Sequence, residues 1–404
     1  MLNEKGQREL VYIIRIDEIK PIEGRDRVEC AVVGGWTVMV RKNQFKPGDL
    51  GIYFEIDSKV PAKEPFMFLE GKHFKIKTQK YKIPSGYFWS QGLLMSAEDF
   101  GWETIKSEDG STLSINGHHE GDFLTKLLGV TYADADDNKR KAKSVDKYKL
   151  MSQRRPDIFK KKWAQWMMRR NWGKKVMFFF FGKKKDKKGG WPSHIASKTD
   201  VERINNMIWI LQDKKPFVAS EKVDGSSMSV MAEYGKFNKI KKYVCSRNVV
   251  FENPDQDCYY DTNIYFEAYE KYHLGEKIEQ MLKDLNLPNI AIQMEVYGDG
   301  VQKRNYSMNN GERKIAVFHI LSNNVKMPMD KVVELCEKYD LPHVPIIDNN
   351  YILPDTIEEL QTYVESAPSA IDGLEKEGIV FYDKETGTQY FKFVSPSFLM
   401  KYHG

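Results

Sequence analysis

The chain has 404 residues, 41% of them hydrophobic and 29% charged, with a formal net charge of +5. That length suits two domains with separate cores, and the apolar content is ordinary for soluble globular protein. The four cysteines (Cys30, Cys245, Cys258 and Cys336) form no Cys-x-x-Cys pair, which argues against a zinc site or a disulfide framework. The longest apolar run, 176 to 181, is far too short to span a bilayer. With no signal-like apolar segment near Met1, a cytoplasmic, soluble protein with no membrane partner is expected.

From Leu10 to about Gly101 the chain reads as short strands between turn signals. The β-rich runs 10–16, 28–33, 37–40 and 50–55 are punctuated by Gly34-Gly35 and Lys46-Pro47-Gly48-Asp49, and together they predict a small β-barrel. Residues 72–82 then alternate cations with apolar or aromatic residues, so a strand there presents a row of positive charge. A phosphate backbone fits such a row, and so does plain solvent.

Residues 121–190 differ in character. The polar stretch 134–143 lacks the apolar surface to fold alone and predicts a mobile linker. Residues 159–175 interleave lysine and arginine with Trp163, Trp166 and Trp172 at helical spacing, and a lysine run follows at 183–188. Three readings stand side by side: a nucleic-acid contact, a membrane-surface helix and an interdomain packing segment.

A second, α+β domain is expected over 191–404. Residues 197–208 predict a helix capped by Thr199 or Asp200, with Val201, Ile204, Met207 and Ile208 on its buried face. Strand-like runs follow at 242–248, 290–298, 314–320, 377–382 and 389–394, with helical intervals at 264–285 and 329–339, which suggests antiparallel sheets.

Glu221-Lys222-Val223-Asp224-Gly225-Ser226 puts a lysine between two acids and ends a strand-like run. A lysine amine attacks phosphorus only when deprotonated, so such a site needs something to lower its pKa. Metal ions and neighbouring cations do this; carboxylates aimed at the lysine do the reverse. Asp224, Glu295 and Glu377 are therefore read as metal ligands or ribose contacts. Lys392 suits charge neutralisation on a triphosphate, and Arg247 a bidentate phosphate or ribose contact. Phe318 is either a platform for adenine or a core residue.

Six segments in order carry a resemblance: 221–226, Ser246-Arg247-Asn248, 293–298, Val317-Phe318-His319-Ile320, Glu377-Gly378-Ile379-Val380 and Phe391-Lys392-Phe393-Val394. They resemble motifs I, Ia, III, IIIa, IV and V of the covalent nucleotidyltransferases, the ATP-dependent ligases and RNA-capping enzymes. Residues 192–206 are similar to the segment ahead of the nucleophile in RNA ligases, and Ser90-Gln91-Gly92-Leu93-Leu94-Met95 resembles part of the OB module that one RNA-ligase family places first.

The resemblance implies an α+β chain: an OB-like nucleic-acid-binding module at 1–120, a basic aromatic insert at 121–190 and an ATP-grasp-like nucleotidyltransferase domain at 191–404. It implies ATP with Mg2+ or Mn2+, and an adenylate formed on Lys222. Asp224, Glu295 and Glu377 would hold the metal; Glu221, Arg247, Phe318 and Arg203 would bind ATP, and Lys392 its phosphates. RNA, or a nicked duplex containing it, is the implied partner of a monomeric enzyme. The chain ends twelve residues past Lys392, without room for the trailing OB domain of capping enzymes and many DNA ligases, which favours RNA ligase over the DNA-ligase alternative. A non-catalytic nucleic-acid-binding protein is the other alternative. Three departures stand out: Val394 where relatives carry a second motif V lysine, for which Lys401 is a possible substitute; His319 in place of an aspartate; and the long insert.

Overall fold

The computed structural model describes residues 1–3, 8–133, 156–181, 190–256, 258–260, 262–384 and 390–403. The expected linker at 134–143 and the lysine run at 183–188 lie outside them.

In the N-terminal module, alternation decides which side chains go inside. Trp36, Val38 and Val40 of the strand Trp36–Arg41 are buried, while Thr37 and Met39 between them are partly exposed. That strand pairs with Arg25–Val33, which pairs with Glu18–Ile22. A second sheet places Leu50–Phe54 between Val11–Arg15 and Leu93–Met95. Two apolar clusters fill the module, one around Phe54, Phe66 and Leu69, the other around Trp36, Tyr53 and Val38. Leu124, Leu128 and Val130 belong to the first of these, and Thr131–Tyr132 pairs with Ser58–Lys59, so the module extends beyond the boundary expected at residue 120.

The cationic strand expected over 72–82 is interrupted. A 3-10 turn runs to Lys72, His73 and Phe74 adopt positive φ, and only Gln79–Ile83 forms a longer strand, hairpinned to Gly86–Ser90. Its register sets Lys80 opposite Trp89 and Lys82 opposite Tyr87, which leaves a short face of two lysines and two rings. The Lys80 ammonium lies 3.8 Å from the Tyr87 ring centre and 4.8 Å from that of Trp89.

The C-terminal domain is built on two sheets. One has six strands, in the order Val250–Phe251, Ile240–Ser246, Ser226–Tyr234, Asn289–Gly298, Arg313–Ser322, Val325–Lys326. The other has five, in the order Glu202–Arg203, Tyr390–Val394, Gly378–Asp383, Pro216–Lys222, Ile346–Ile352. In the second sheet Phe217, Ala219, Ile379, Phe381, Phe391 and Phe393 form one core with the helix Ile357–Ser366. Val218, Val380 and Tyr382 alternate with them and join the core of the six-stranded sheet. Lys222 and Lys392 share this second parity; Glu221 has the first.

Two expectations need correction. Residues 199–208 are not an α-helix: Glu202–Arg203 pairs in parallel with Phe391 and Lys392, and 3-10 turns follow at Ile204–Asn206 and Ile208–Gln212. Glu202 and Asn206 are drawn instead into contacts with the N-terminal module. The Glu202 carboxylate accepts from the Leu2 backbone, and the Asn206 side chain links Trp36 Nε1 (2.7 Å) and Glu55 (2.9 Å). That parallel pairing also makes the five-stranded sheet mixed rather than purely antiparallel. The helical interval expected at 264–285 is filled by two helices, Ile264–Lys271 and Leu274–Asp284, separated where His273 takes a positive φ.

Residues 134–190 form a unit of their own. Its described part has three short helices, Pro156–Phe159, Lys162–Met168 and Asn171–Phe181, in place of one amphipathic helix over 159–175. Among the described residues, no helix is long and apolar enough to cross a membrane.

Candidate active site

Lys222 closes the strand Pro216–Lys222 opposite Gly378, and its ammonium lies 2.7 Å from Glu377 Oε2. Two glycines allow this approach. A Cβ on Gly378 would meet the Phe393 carbonyl oxygen at 2.1 Å, and one on Gly225 would meet the Val296 carbonyl oxygen at 2.4 Å and Glu295 Cγ at 2.8 Å. Gly225 thus brings the turn after Lys222 against the strand that carries Glu295, and Gly378 brings Glu377 beside the strand that carries Lys392.

The electrostatics of the cluster follow from that crowding. Burial alone would lower the Lys222 pKa, but Glu377, Glu295 and Asp224 together raise it above the ordinary lysine value. Burial pushes the Glu295 carboxyl up to about 8, against the pull of Lys222 and with the help of Glu377 and Asp224. Glu377 is raised by burial and by Asp224, opposed by Lys222. Without a ligand the lysine is therefore held protonated by its acidic neighbours.

Asp224 is 5% exposed, and its Oδ2 is buried without a hydrogen-bond partner. Its backbone N–H donates to the Tyr306 hydroxyl at 2.5 Å, and its Oδ1 lies 3.4 Å from His403 Nε2. No three His, Cys, Asp or Glu groups among the described residues converge as a ready metal cage. An unpartnered carboxylate oxygen beside two further acids nevertheless fits an ion of the Mg2+ kind, which binds one or two carboxylates and completes its shell with water and substrate phosphates.

A cationic group adjoins the acids. Lys392 pairs with Val380 on one side and, in parallel, with Arg203 on the other. Its pKa falls well below the ordinary lysine value, first through burial and then through Arg8, Lys222 and Arg203. Arg203 reaches Asp57 at 3.3 Å, and Arg8 bonds Glu55 at 3.0 Å and the Val201 carbonyl at 2.9 Å. So many cations around one lysine favour an anion among them.

The remaining expected residues are dispersed. Arg247 pairs with Asp200 and is within electrostatic reach of Glu295. Phe318 is the extra residue of a bulge, since Gln293 faces His319 while Met294 faces Val317; it is half-buried and packs against the core of the six-stranded sheet. Glu221 points away from Lys222, its carboxylate accepting from Ser369 Oγ at 2.5 Å and the Ala370 N–H at 2.7 Å. Lys401 sits exposed, 3.5 Å from Glu375, while His403 from the same helix, Pro396–His403, reaches Asp224. Arg8, Tyr306 and His403 belong to the site without any sequence motif to mark them.

Residues 215–403 match the RNA ligase family, and residues 10–95 match an OB-fold domain. The matched ligase region, just under half of the chain, is thus similar to an RNA ligase domain. No curated protein matches the chain. Among solved structures it is similar to RNA ligase from Naegleria gruberi, in a mutant with ATP and Mn (24% identity, TM-score 0.68, 98% of this chain and 99% of that one). The same ligase with PPi gives equal figures, as does a mutant with AMP and Mn. At this identity the likeness establishes the fold: an OB-fold followed by an α+β ligase domain.

The ligase domain also holds a lysine that the motifs did not single out. Lys326 donates to the Tyr390 hydroxyl at 2.7 Å, and burial lowers its pKa to about 8. Between about pH 8 and the ordinary lysine value, the unfolded chain binds a proton here that the folded chain does not, so this group makes stability rise with pH across that window. Urea unfolding at pH 7.5 and pH 9.5 is expected to show a smaller rise for Lys326→Met than for the parent, together with a gain in stability at the lower pH.

Proposed function

We propose that the protein is an ATP-dependent RNA ligase that joins 3′-hydroxyl to 5′-phosphate ends, with nicked duplexes as substrates, through an adenylate on Lys222. The observation that carries this reading is the Lys222–Glu377 pair set beside the cations around Lys392. It offers a nucleophile and, next to it, a place for a triphosphate. ATP and PPi, present in structures of the Naegleria ligase, are the substrate and leaving group of such a step, and the AMP present in another is what the final joining step would release.

In this reading Lys222 Nζ, once deprotonated, forms a bond to the α-phosphorus as the bond to the bridging oxygen breaks and pyrophosphate leaves with the electron pair. Lys392, Arg203 and Arg8 offset the charge on the departing group. The Glu377 contact keeps the proton on Lys222, so weakening that contact frees the amine. Asp224, Glu295 and Glu377 would hold a Mg2+ or Mn2+ ion, which supplies charge neutralisation when bound. AMP then passes to a 5′-phosphate, and a 3′-hydroxyl displaces it. Arg247 is assigned to the nucleotide, Phe318 to adenine, and Glu221 to holding the loop at 369–370 behind the ATP site. The Lys80, Lys82, Tyr87 and Trp89 face of the OB module suits RNA, pairing phosphate contacts with rings.

Incubation with α-labelled ATP and magnesium or manganese is expected to label the intact protein covalently. Nicks ending in a ribose 3′-hydroxyl should then be sealed faster than nicks ending in deoxyribose. Absence of label would overturn the reading, and equal rates on both nicks would favour a DNA-ligase role.

A further inference from the structure

The small helical body over 156–181 leaves its three tryptophans exposed. Its core consists of Phe159, Ala164 and Met177, with Ile158, Met167 and Met168 packed against them. Trp163, Trp166 and Trp172 take no part in that core: they are 50%, 50% and 54% exposed. Tryptophan is costly to leave in water, and three exposed on one short segment mark a surface with a use.

Two features indicate what the surface binds. Lys160 to Lys162, Arg169, Arg170, Lys174 and Lys175 stand against Asp157 as the sole acid of 156–181, so the partner is a polyanion. The rings and cations are also mixed rather than segregated. The Arg170 guanidinium lies 3.8 Å from the Trp166 ring centre, and Trp172 meets Trp166 edge to face at 6.2 Å. A membrane-surface helix separates an apolar face from a charged one. Here charge lies on the ring itself, as it does where bases stack on aromatic side chains and cations follow the phosphates.

We infer that residues 156–181 form a platform for single-stranded RNA, in which bases stack on Trp166 and Trp172 while Arg170 and the flanking lysines contact phosphates. The inference deepens the RNA-ligase reading by adding a grip on unpaired stretches of the substrate strand. It does not depend on the adenylylation chemistry.

The test uses the full chain and a fluorescent single-stranded RNA of twelve nucleotides, without ATP. Trp166→Ala and Trp172→Ala are each expected to weaken binding about tenfold, with Trp166→Phe restoring most of the affinity. Arg170→Ala should flatten the dependence of affinity on salt. Labelling by α-labelled ATP, measured on the same proteins, should not change. Unchanged RNA affinity in both tryptophan variants overturns the platform. So does a loss in Trp166→Ala that Trp166→Phe fails to repair, or tighter binding of the parent to phosphatidylserine vesicles than to RNA. If no protein takes the label but the tryptophan variants lose RNA as expected, the platform stands and the ligase reading falls.

Discussion

Lys222→Ala is expected to abolish covalent labelling by α-labelled ATP while the protein stays folded, with overall sealing reduced at least about a thousandfold. In the proposed reading Lys222 is the nucleophilic amine, and its side chain is 23% exposed, so alanine removes reactivity without opening a core cavity. A second measurement separates chemistry from binding. Glu377 and Glu295 lose their cationic neighbour in Lys222→Ala, so ATP affinity in the presence of magnesium should change far less than labelling does. Residual label in the alanine variant would mean that another amine carries the adenylate. Lys392 is then the first to examine, since its depressed pKa favours the neutral amine at lower pH than Lys222.

Asp372→Ala is expected to destabilise the fold by about 3–5 kcal/mol, read from urea unfolding. Asp372 pairs with Arg304 at 2.6 Å, with side chains 3% and 2% exposed. Arg304 Nε and Nη1 and Asp372 Oδ2 have no hydrogen-bond partner, so removing the acid strands a buried guanidinium. Arg304→Met combined with Asp372→Leu should recover much of the loss, because no charge is then left unpaired. The effect reaches the site as well. The Arg304 guanidinium lies 4.0 Å from the ring centre of Tyr306, and that ring's hydroxyl accepts the backbone N–H of Asp224. Tyr306 is buried at a φ of 56°, a backbone conformation that its surroundings must impose. Protein that remains folded in Asp372→Ala should therefore form the adenylate more slowly, and Tyr306→Phe should show the slowing with a smaller loss of stability.

The sheets were legible because their strands alternate or run apolar over five to ten residues, as in 290–298 and 389–394, and burial then fixes each side chain's direction. Lys222, Asp224, Glu295 and Glu377 were legible as residue types suited to one chemistry. Their convergence was not, since it depends on Gly225 and Gly378 lying against backbone contributed by distant strands. The region 199–208 carries a helical pattern with a plausible cap, yet tertiary contacts from the OB module claim Glu202, Asn205 and Asn206, and local preference yields. Arg8 and His403 had no local signal, because each joins the site from a segment that sequence motifs do not describe. The tryptophans of the insert were read correctly as helical, but spacing alone cannot tell an outward face from a packed one.

The strand that carries Lys222 lies between Ile346–Ile352 and Gly378–Asp383, both of which come much later in the chain. A ribosome adding about 5–20 residues per second leaves it without either neighbour for several seconds, and closes its second edge only after on the order of ten seconds. During that interval Phe217, Val218 and Ala219 form an apolar ribbon with both backbone edges open. The order of synthesis thus leaves the strand of Lys222 open to wrong partners before the cleft exists, the kind of exposed edge from which aggregation starts when a protein is overproduced.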